Sequence, residues 1–215
     1  MRKLHKNNYK IISFNANKRK RGSLVLNLDD GVSITISDDI FYSHKLFAGK
    51  IISKVDLGNI LNDEEVYRIK QKALNLISYR KRSKKELEDR LKLQKFNIEN
   101  IAIVIKELEK KQYLNDKKFA ESFILSSVKN KKLGPLALIN DLKKYGIFFD
   151  DVEKFLDKTY EQYPVKKLIH EIIRKRTKSK KRLTIKDRKR LINHLKQKGF
   201  YWSDIQEVSS GLGWL

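Results

Sequence analysis

An internal repeat with a period of about fifty residues constrains the fold of this chain more than any other feature. The clearest copy occupies residues 115–147, breaks at Gly134-Pro135 and closes on residues 141–147, DLKKYGI. Degraded versions of this ending lie 51 residues upstream, at residues 90–96, and 53 residues downstream, at residues 194–200. A short amphipathic segment follows each ending. This pattern predicts a tandem array of three-helix units, which stabilise one another by stacking.

The first sixty residues have a different pattern. Residues 23–28 alternate apolar and polar side chains, and Asp29-Asp30-Gly31 separates them from a second alternating stretch, residues 32–36. Alternation around an Asp-Gly pair is a strong hairpin signal, so we predict a small antiparallel sheet. Residues 58–62 are the expected boundary between this sheet and the helices.

The predicted fold is therefore mostly α, with a small N-terminal antiparallel β domain before three three-helix repeats. The β domain is expected at residues 1–62, and the repeats at residues 63–112, 113–163 and 164–215. Leu91, Leu142 and Leu195 should occupy equivalent buried positions in the three repeats.

In the first and third repeats, the second helix is predicted to begin with a capping box. The pairs are Ser83 with Glu86 and Thr184 with Asp187. In the middle repeat, Leu136 is expected on the inner face of the second helix, together with Ile139 and Leu142.

The composition predicts a protein of the cytoplasm. The chain has no cysteine, which excludes disulfides and thiolate metal sites, and no apolar run near the roughly 20 residues that span a bilayer. The basic start of the chain has no apolar stretch after it, so a secretory signal is not expected. We expect a monomer that does not bind membranes.

The net charge of +23 predicts a polyanionic partner. The charge is uneven: it is +6, +5, +1 and +11 over the four predicted segments in order, counted from the sequence. Within residues 174–190, 11 of 17 residues are Lys or Arg and Asp187 is the only acid. A phosphate backbone or an acidic groove would relieve the mutual repulsion of these charges, and the alternative is a solvated surface loop.

Three groups of basic residues are the candidate contacts for nucleic acid or for a nucleoprotein filament. The run at residues 18–21 is either a phosphate-contacting finger or a solvated turn. The full set is Lys18, Arg19, Lys20, Arg21, Arg80, Arg82, Arg174, Lys175, Arg176, Lys178, Lys180, Lys181, Arg182, Arg188, Lys189 and Arg190.

No catalytic centre, metal site or cofactor is predicted. The four histidines are scattered, without the spacing of metal ligands. Paired aspartates at residues 29–30, 38–39 and 150–151 fall at predicted turns and helix starts, where carboxylates cap the backbone. A nuclease that uses these pairs is the less favoured interpretation.

Several motifs, in order, resemble the RecX family of RecA regulators over roughly residues 63–215. They are YRKRS at residues 79–83 with Glu86-Leu87, YLND at residues 113–116 with Phe119-Ala120, Gly134-Pro135, and the ending at residues 142–147. The N-terminal sheet resembles the extension that some members carry. Thr184 departs from the pattern, since serine, glycine or proline begins the second helix in the other repeats.

The resemblance implies three tandem three-helix repeats without a catalytic centre. It also implies binding to RecA and in the groove of its filament on single-stranded DNA, which inhibits ATP hydrolysis and strand exchange and destabilises the filament. The alternative function is DNA binding without a recombinase partner, either sequence-tolerant or through a helix-turn-helix unit.

Overall fold

The computed structural model describes residues 6–178 and 183–214. Four strands and ten helices lie within these ranges. The strands are β1 (Asn8–Ala16), β2 (Ser23–Leu28), β3 (Ser33–Ser37) and β4 (Ile51–Ser53). The helices are α1 (Asp38–Ser43), α2 (Lys54–Tyr79), α3 (Lys84–Lys92), α4 (Ile98–Lys110), α5 (Asp116–Lys131), α6 (Pro135–Lys144), α7 (Phe149–Gln162), α8 (Val165–Thr177), α9 (Ile185–Gln197) and α10 (Trp202–Gly211).

The helices and strands belong to two compact units. The first unit contains the chain up to Arg80 together with Leu87–Lys111, and the second contains Lys81–Glu86 and the chain from Gln112 onward. The predicted fold class, mostly helical with a small N-terminal antiparallel sheet, is confirmed. No helix in the described ranges has both the length and the apolar character that crossing a membrane requires.

The sheet of the first unit has the order β3-β2-β1-β4, and all its neighbours are antiparallel. The predicted hairpin joins β2 to β3, where Gly31 has a φ of 80° and the Leu28 amide donates to the Val32 carbonyl at 2.9 Å. The positive φ explains a glycine at this turn. One face of the sheet is buried under α1 and the start of α2, and its core is Tyr9, Ile11, Leu26, Leu28, Ile36, Phe41, Leu46, Ile52, Leu57 and Ile60.

Helix α2 extends through the predicted boundary. Residues 58–62 lie inside this helix of 26 residues, which begins where the Ser53 hydroxyl accepts from the Asp56 amide at 3.0 Å. Leu57 and Ile60 complete the sheet core, whereas the later part of the helix packs against α4. Residues 58–62 are therefore helical and do not form a linker, because burial of these apolar residues outweighs the weak helix propensity of Gly58 and its asparagine neighbours.

Helices α2–α10 follow one another in three groups of three with a shared turn. The predicted equivalent leucines Leu91, Leu142 and Leu195 are all buried, as expected. Four residues after each leucine the backbone has a positive φ, at Lys95, Gly146 and Gly199. An apolar residue then follows, at Phe96, Ile147 and Phe200. The sequence repeat therefore corresponds to a repeated helix–turn–helix geometry.

Two glycines bring the start of α6 against the end of α9 in the second unit. The Gly134 amide donates to the Lys198 carbonyl at 2.8 Å, and the Leu136 amide donates to the Gly199 carbonyl at 3.0 Å. A Cβ atom on Gly134 would lie 2.4 Å from the Gly199 oxygen. In the same helix the prediction for Leu136 was wrong, since it is 41% exposed and Leu138 is the buried residue.

Two helices, α3 and α9, begin with the side-chain caps that were predicted for them. The Ser83 hydroxyl accepts from the Glu86 amide at 3.1 Å. Thr184 and Asp187 form a complete capping box, with each side chain accepting from the other's amide at 3.2 Å. These bonds satisfy amides that lack partners at helix starts.

Candidate nucleic-acid interface

The densest predicted basic cluster lies at the end of α8. Arg174, Lys175 and Arg176 are exposed in its last turn, and Lys178 follows as the exposed C-cap. Their positive charge has the sign that complements the negative end of the helix dipole. The predicted contacts Lys180, Lys181 and Arg182 lie outside the described residues.

Three further predicted contacts lie on α9, and they differ from one another. Lys189 and Arg190 are exposed. Arg188 is half-buried and donates to the Gly213 carbonyl at 3.2 Å, so it holds the C-terminal turn of the described chain. A small cavity of about 250 Å³ lies between Arg176 and Arg190, with Asp187 on its wall.

A larger basic groove connects α8 to segments outside the predicted contacts. Two adjoining cavities of about 590 and 530 Å³ share Asn130, Lys132, Ile172 and Lys175 in their walls. The end of α5 also contributes Lys131, α8 contributes Arg176, and the end of α9 contributes His194 and Lys198. We call this concavity the α5–α8–α9 groove.

The charges in the α5–α8–α9 groove are only partly compensated. Lys132 pairs with Glu171 at 2.8 Å, and this bond lowers the pKa of that carboxyl. Lys198 donates to the Lys131 carbonyl at 2.6 Å, at the negative end of α5. The Lys198 ammonium nevertheless remains close to other cations.

Burial and neighbouring positive charges disfavour the protonated forms of Lys198 and His194 in this groove. Burial, followed by the charges of Arg176, Lys131 and Lys175, lowers the pKa of Lys198. Burial, followed by Arg176 and Lys198, lowers the pKa of His194. An anion bound here would reverse both electrostatic effects, so the groove is suited to a phosphate group.

Four residues of this groove, Lys131, Lys132, His194 and Lys198, were missed because they lie outside the dense basic run of residues 174–190. The backbone bonds of Gly134 to the Lys198–Gly199 turn bring the end of α5 to the end of α9. The repeat of about fifty residues carried no indication that these two segments would be neighbours.

The basic run at residues 18–21 forms an ordered turn between β1 and β2 in the first unit. All four side chains are exposed. The Asn17 side chain accepts from the Arg19 amide at 3.0 Å, and Gly22 ends the turn with a φ of 73°. This turn presents its charges outward, as either predicted interpretation requires.

Arg80 and Arg82 differ in exposure. Arg80 is exposed at the C-cap of α2, whereas Arg82 is 7% exposed and forms an ion pair with Glu86. A buried, paired guanidinium serves the fold, because a ligand would have to displace the carboxylate. We therefore do not include Arg82 among the contacts proposed below.

The paired aspartates occupy turns and helix starts, as predicted. Asp38 and Asp39 lie in the first turn of α1, and Asp150 and Asp151 in that of α7. Asp29 accepts from Lys6 at 3.0 Å, which is the main reason its pKa is lowered. In the described ranges, no three His, Asp or Glu side chains cluster as metal ligands would.

Comparisons with known proteins agree on one family. A family model described as the first three-helix domain of RecX matches residues 70–108. A protein of Bacillus velezensis (strain DSM 23117 / BGSC 10A6 / LMG 26770 / FZB42) named "Regulatory protein RecX" is 31% identical over 192 residues, which cover 88% of this chain and 72% of the relative. The protein of the same name from Bacillus subtilis (strain 168) is 29% identical over 190 residues, with 88% and 72% covered.

Solved structures show the same fold. A crystal structure of regulatory protein RecX has a TM-score of 0.66 at 18% identity and covers 94% of this chain and 99% of that one. The RecX structure from Lactobacillus salivarius has a TM-score of 0.52 at 24% identity and covers 71% of this chain and 99% of that one. With sequence similarity along most of both chains, this chain belongs to the RecX family of regulatory proteins.

Proposed function

We propose that this chain regulates recombination by binding RecA and the RecA filament on single-stranded DNA. It lowers ATP hydrolysis and strand exchange and destabilises the filament, as a monomer and without a catalytic centre of its own. Membership of the RecX family supports this function, and the α5–α8–α9 groove is the observation that carries it to particular residues. The four segments predicted from the sequence are proposed as its functional parts, with α2 shared by the sheet and the first repeat.

The groove is suited to a filament because DNA supplies phosphates at regular intervals. Lys131, Lys175 and Arg176 are exposed cations in the wall of one cavity, where they can contact phosphate groups. Each neutralised phosphate releases counterions, so binding should weaken steeply as salt rises. Several such contacts along a filament add through effective concentration, although each one is weak.

The test is the ATPase of RecA on single-stranded DNA as this chain is titrated in. Wild-type protein should lower the rate, and the triple variant K131A/K175A/R176A should require a higher concentration for the same effect. A matched control, K143A/K154A/K158A, removes three exposed positive charges from α6 and α7 of the same unit. If the groove variant inhibits the ATPase as strongly as wild type does, the α5–α8–α9 groove is not the site that contacts the filament.

Filament binding measured over a range of salt tests the phosphate contacts of the groove, and binding to bare duplex separates the two candidate functions. The groove variant should show a smaller slope of log affinity against log salt, by about 0.7 for each phosphate of the single strand that it no longer neutralises. If wild-type protein binds bare duplex with sequence preference and has no effect on the filament, DNA binding without a recombinase partner is the correct function.

A further inference from the structure

A second groove, in the first unit, combines cations with an aromatic ring. It has a volume of about 490 Å³ and lies between the β1–β2 turn, α2 and the α3–α4 turn. Lys20 and Arg21 come from the turn, Arg68 and Lys72 from α2, and Phe96 from the end of the repeat motif. Arg68 and Lys72 are four residues apart, so they lie on the same face of the helix. This volume is within the roughly 300–1,000 Å³ of small-ligand sites.

The cations of this groove, Lys20, Arg21, Arg68 and Lys72, form no ion pair with a carboxylate in the part of the chain that the structure describes. The Asp39 carboxylate is close to one end, where it raises the pKa of the Tyr67 hydroxyl to about 12. The Glu64 carboxylate also accepts from the Ser37 amide, in the same wall, at 2.8 Å. The part of the groove attractive to an anion is therefore the part lined by its four cations, away from Tyr67 and Ser37.

The aromatic ring adds a surface for a planar group. The Arg68 guanidinium carbon is 5.9 Å from the centre of the Phe96 ring, which is half-buried. Aromatic rings and guanidinium planes both stack on nucleobases. The amide side chains of Gln71 and Asn75 also line the groove and can bond to the edges of a base.

From this arrangement we propose that the first-unit groove binds single-stranded nucleic acid. The cations hold phosphates of the strand, and one base stacks against the pair formed by Phe96 and Arg68. A duplex hides the faces of its bases, so stacking favours an unpaired strand. The site goes beyond the proposed function, because it binds bare strand in the first unit and needs no recombinase.

Binding of the full chain to a fluorescein-labelled oligothymidylate, followed by anisotropy over a range of salt, tests the phosphate contacts. R68A/K72A should bind more weakly, with a slope against log salt smaller by about 1.4, since each neutralised phosphate of a single strand contributes about 0.7. The control K106A/K110A removes two exposed charges from α4 outside the groove and should keep the wild-type slope. Equal slopes for these two variants would overturn the proposal.

Substitution of the ring tests stacking. F96L retains an apolar side chain but should bind the oligothymidylate roughly five-fold or more weakly, and F96W should retain affinity. Thermal unfolding shows whether each variant is folded. If F96L does not fold, the test rests on F96W, and a loss of affinity by folded F96W would contradict stacking on the ring. Unchanged affinity of folded F96L, or equally tight binding of a duplex of the same length, would contradict a stacked base.

Two controls separate this groove from other sources of binding. All variants are also measured in the K131A/K175A/R176A background, which removes the contribution proposed for the second unit. The site is supported if F96L weakens binding to the single strand in this background, whatever the effect of the chain on RecA. If polyglutamate competes as well as oligothymidylate does, the groove takes an acidic protein segment and the proposal is wrong.

Discussion

The contact between Gly134 and Gly199 gives the sharpest test of the fold, through the substitution Gly134→Ala. The new methyl group would lie 2.4 Å from the Gly199 oxygen, whereas ordinary contacts begin at 3.4 Å, so the two backbones must separate by about 1 Å. Hydrogen bonds of 2.8 and 3.0 Å cross this contact, and such a separation breaks both of them. Each bond contributes about 0.5–1.5 kcal/mol and the overpacking costs about 1–3 kcal/mol. We expect a total decrease of roughly 2–6 kcal/mol in the free energy of unfolding.

Guanidinium unfolding followed by circular dichroism measures this decrease as a lower midpoint. The matched control is Gly58→Ala, inside α2, where an added Cβ meets nothing within 4 Å. Alanine there should stabilise the helix by about 0.5–1 kcal/mol. If Gly134→Ala unfolds at the wild-type midpoint, the close approach of the two turns is not present in solution.

Three further predictions concern single side chains. Leu142→Ala should cost about 2–5 kcal/mol in chemical unfolding, since this leucine is 1% exposed, and a cost below about 1 kcal/mol would contradict its burial. Arg82→Ala should cost about 3–5 kcal/mol by removing a buried guanidinium and its ion pair with the half-buried Glu86, and R82M/E86L should recover part of that stability in the same assay. His194 has a folded pKa below its ordinary 6.5, so the unfolded chain binds more protons and stability falls as pH drops below about 6.5. Phosphate in the α5–α8–α9 groove should raise this pKa, so DNA affinity should increase over the same drop in pH, and His194→Gln should remove both effects.

Local patterns predicted the repeated part of the fold because each signal acts over a few residues. The buried leucines and the turn after them follow from helical spacing and from glycine at positive φ. Lys95 shows the limit of such signals: it has a φ of 61° without being glycine, and only its place in the repeat identified the turn. Leu136 was misplaced because two helical spacings fit the sequence of α6: Leu136 is three residues before Ile139, whereas the buried Leu138 is four before Leu142.

The two grooves could be predicted only in part. Lys175, Arg176, Lys20 and Arg21 were identified from charge density, which is visible in the sequence. Their neighbours across each groove come from segments far along the chain, and tertiary packing alone brings them together. Phe96 was identified only as the apolar end of a repeat, since nothing in its local sequence indicated that Arg68 would lie beside its ring.

Because α2 is one continuous helix, the sheet and the first repeat are expected to unfold together. Leu57 and Ile60 near its start belong to the sheet core, while the same rigid helix packs against α4 further along. Local unfolding of the sheet must therefore expose the beginning of a helix that the first repeat also requires. Amide hydrogens of β2 and α4 should exchange with solvent in a single cooperative event, and proteolysis should not release the sheet as a stable fragment.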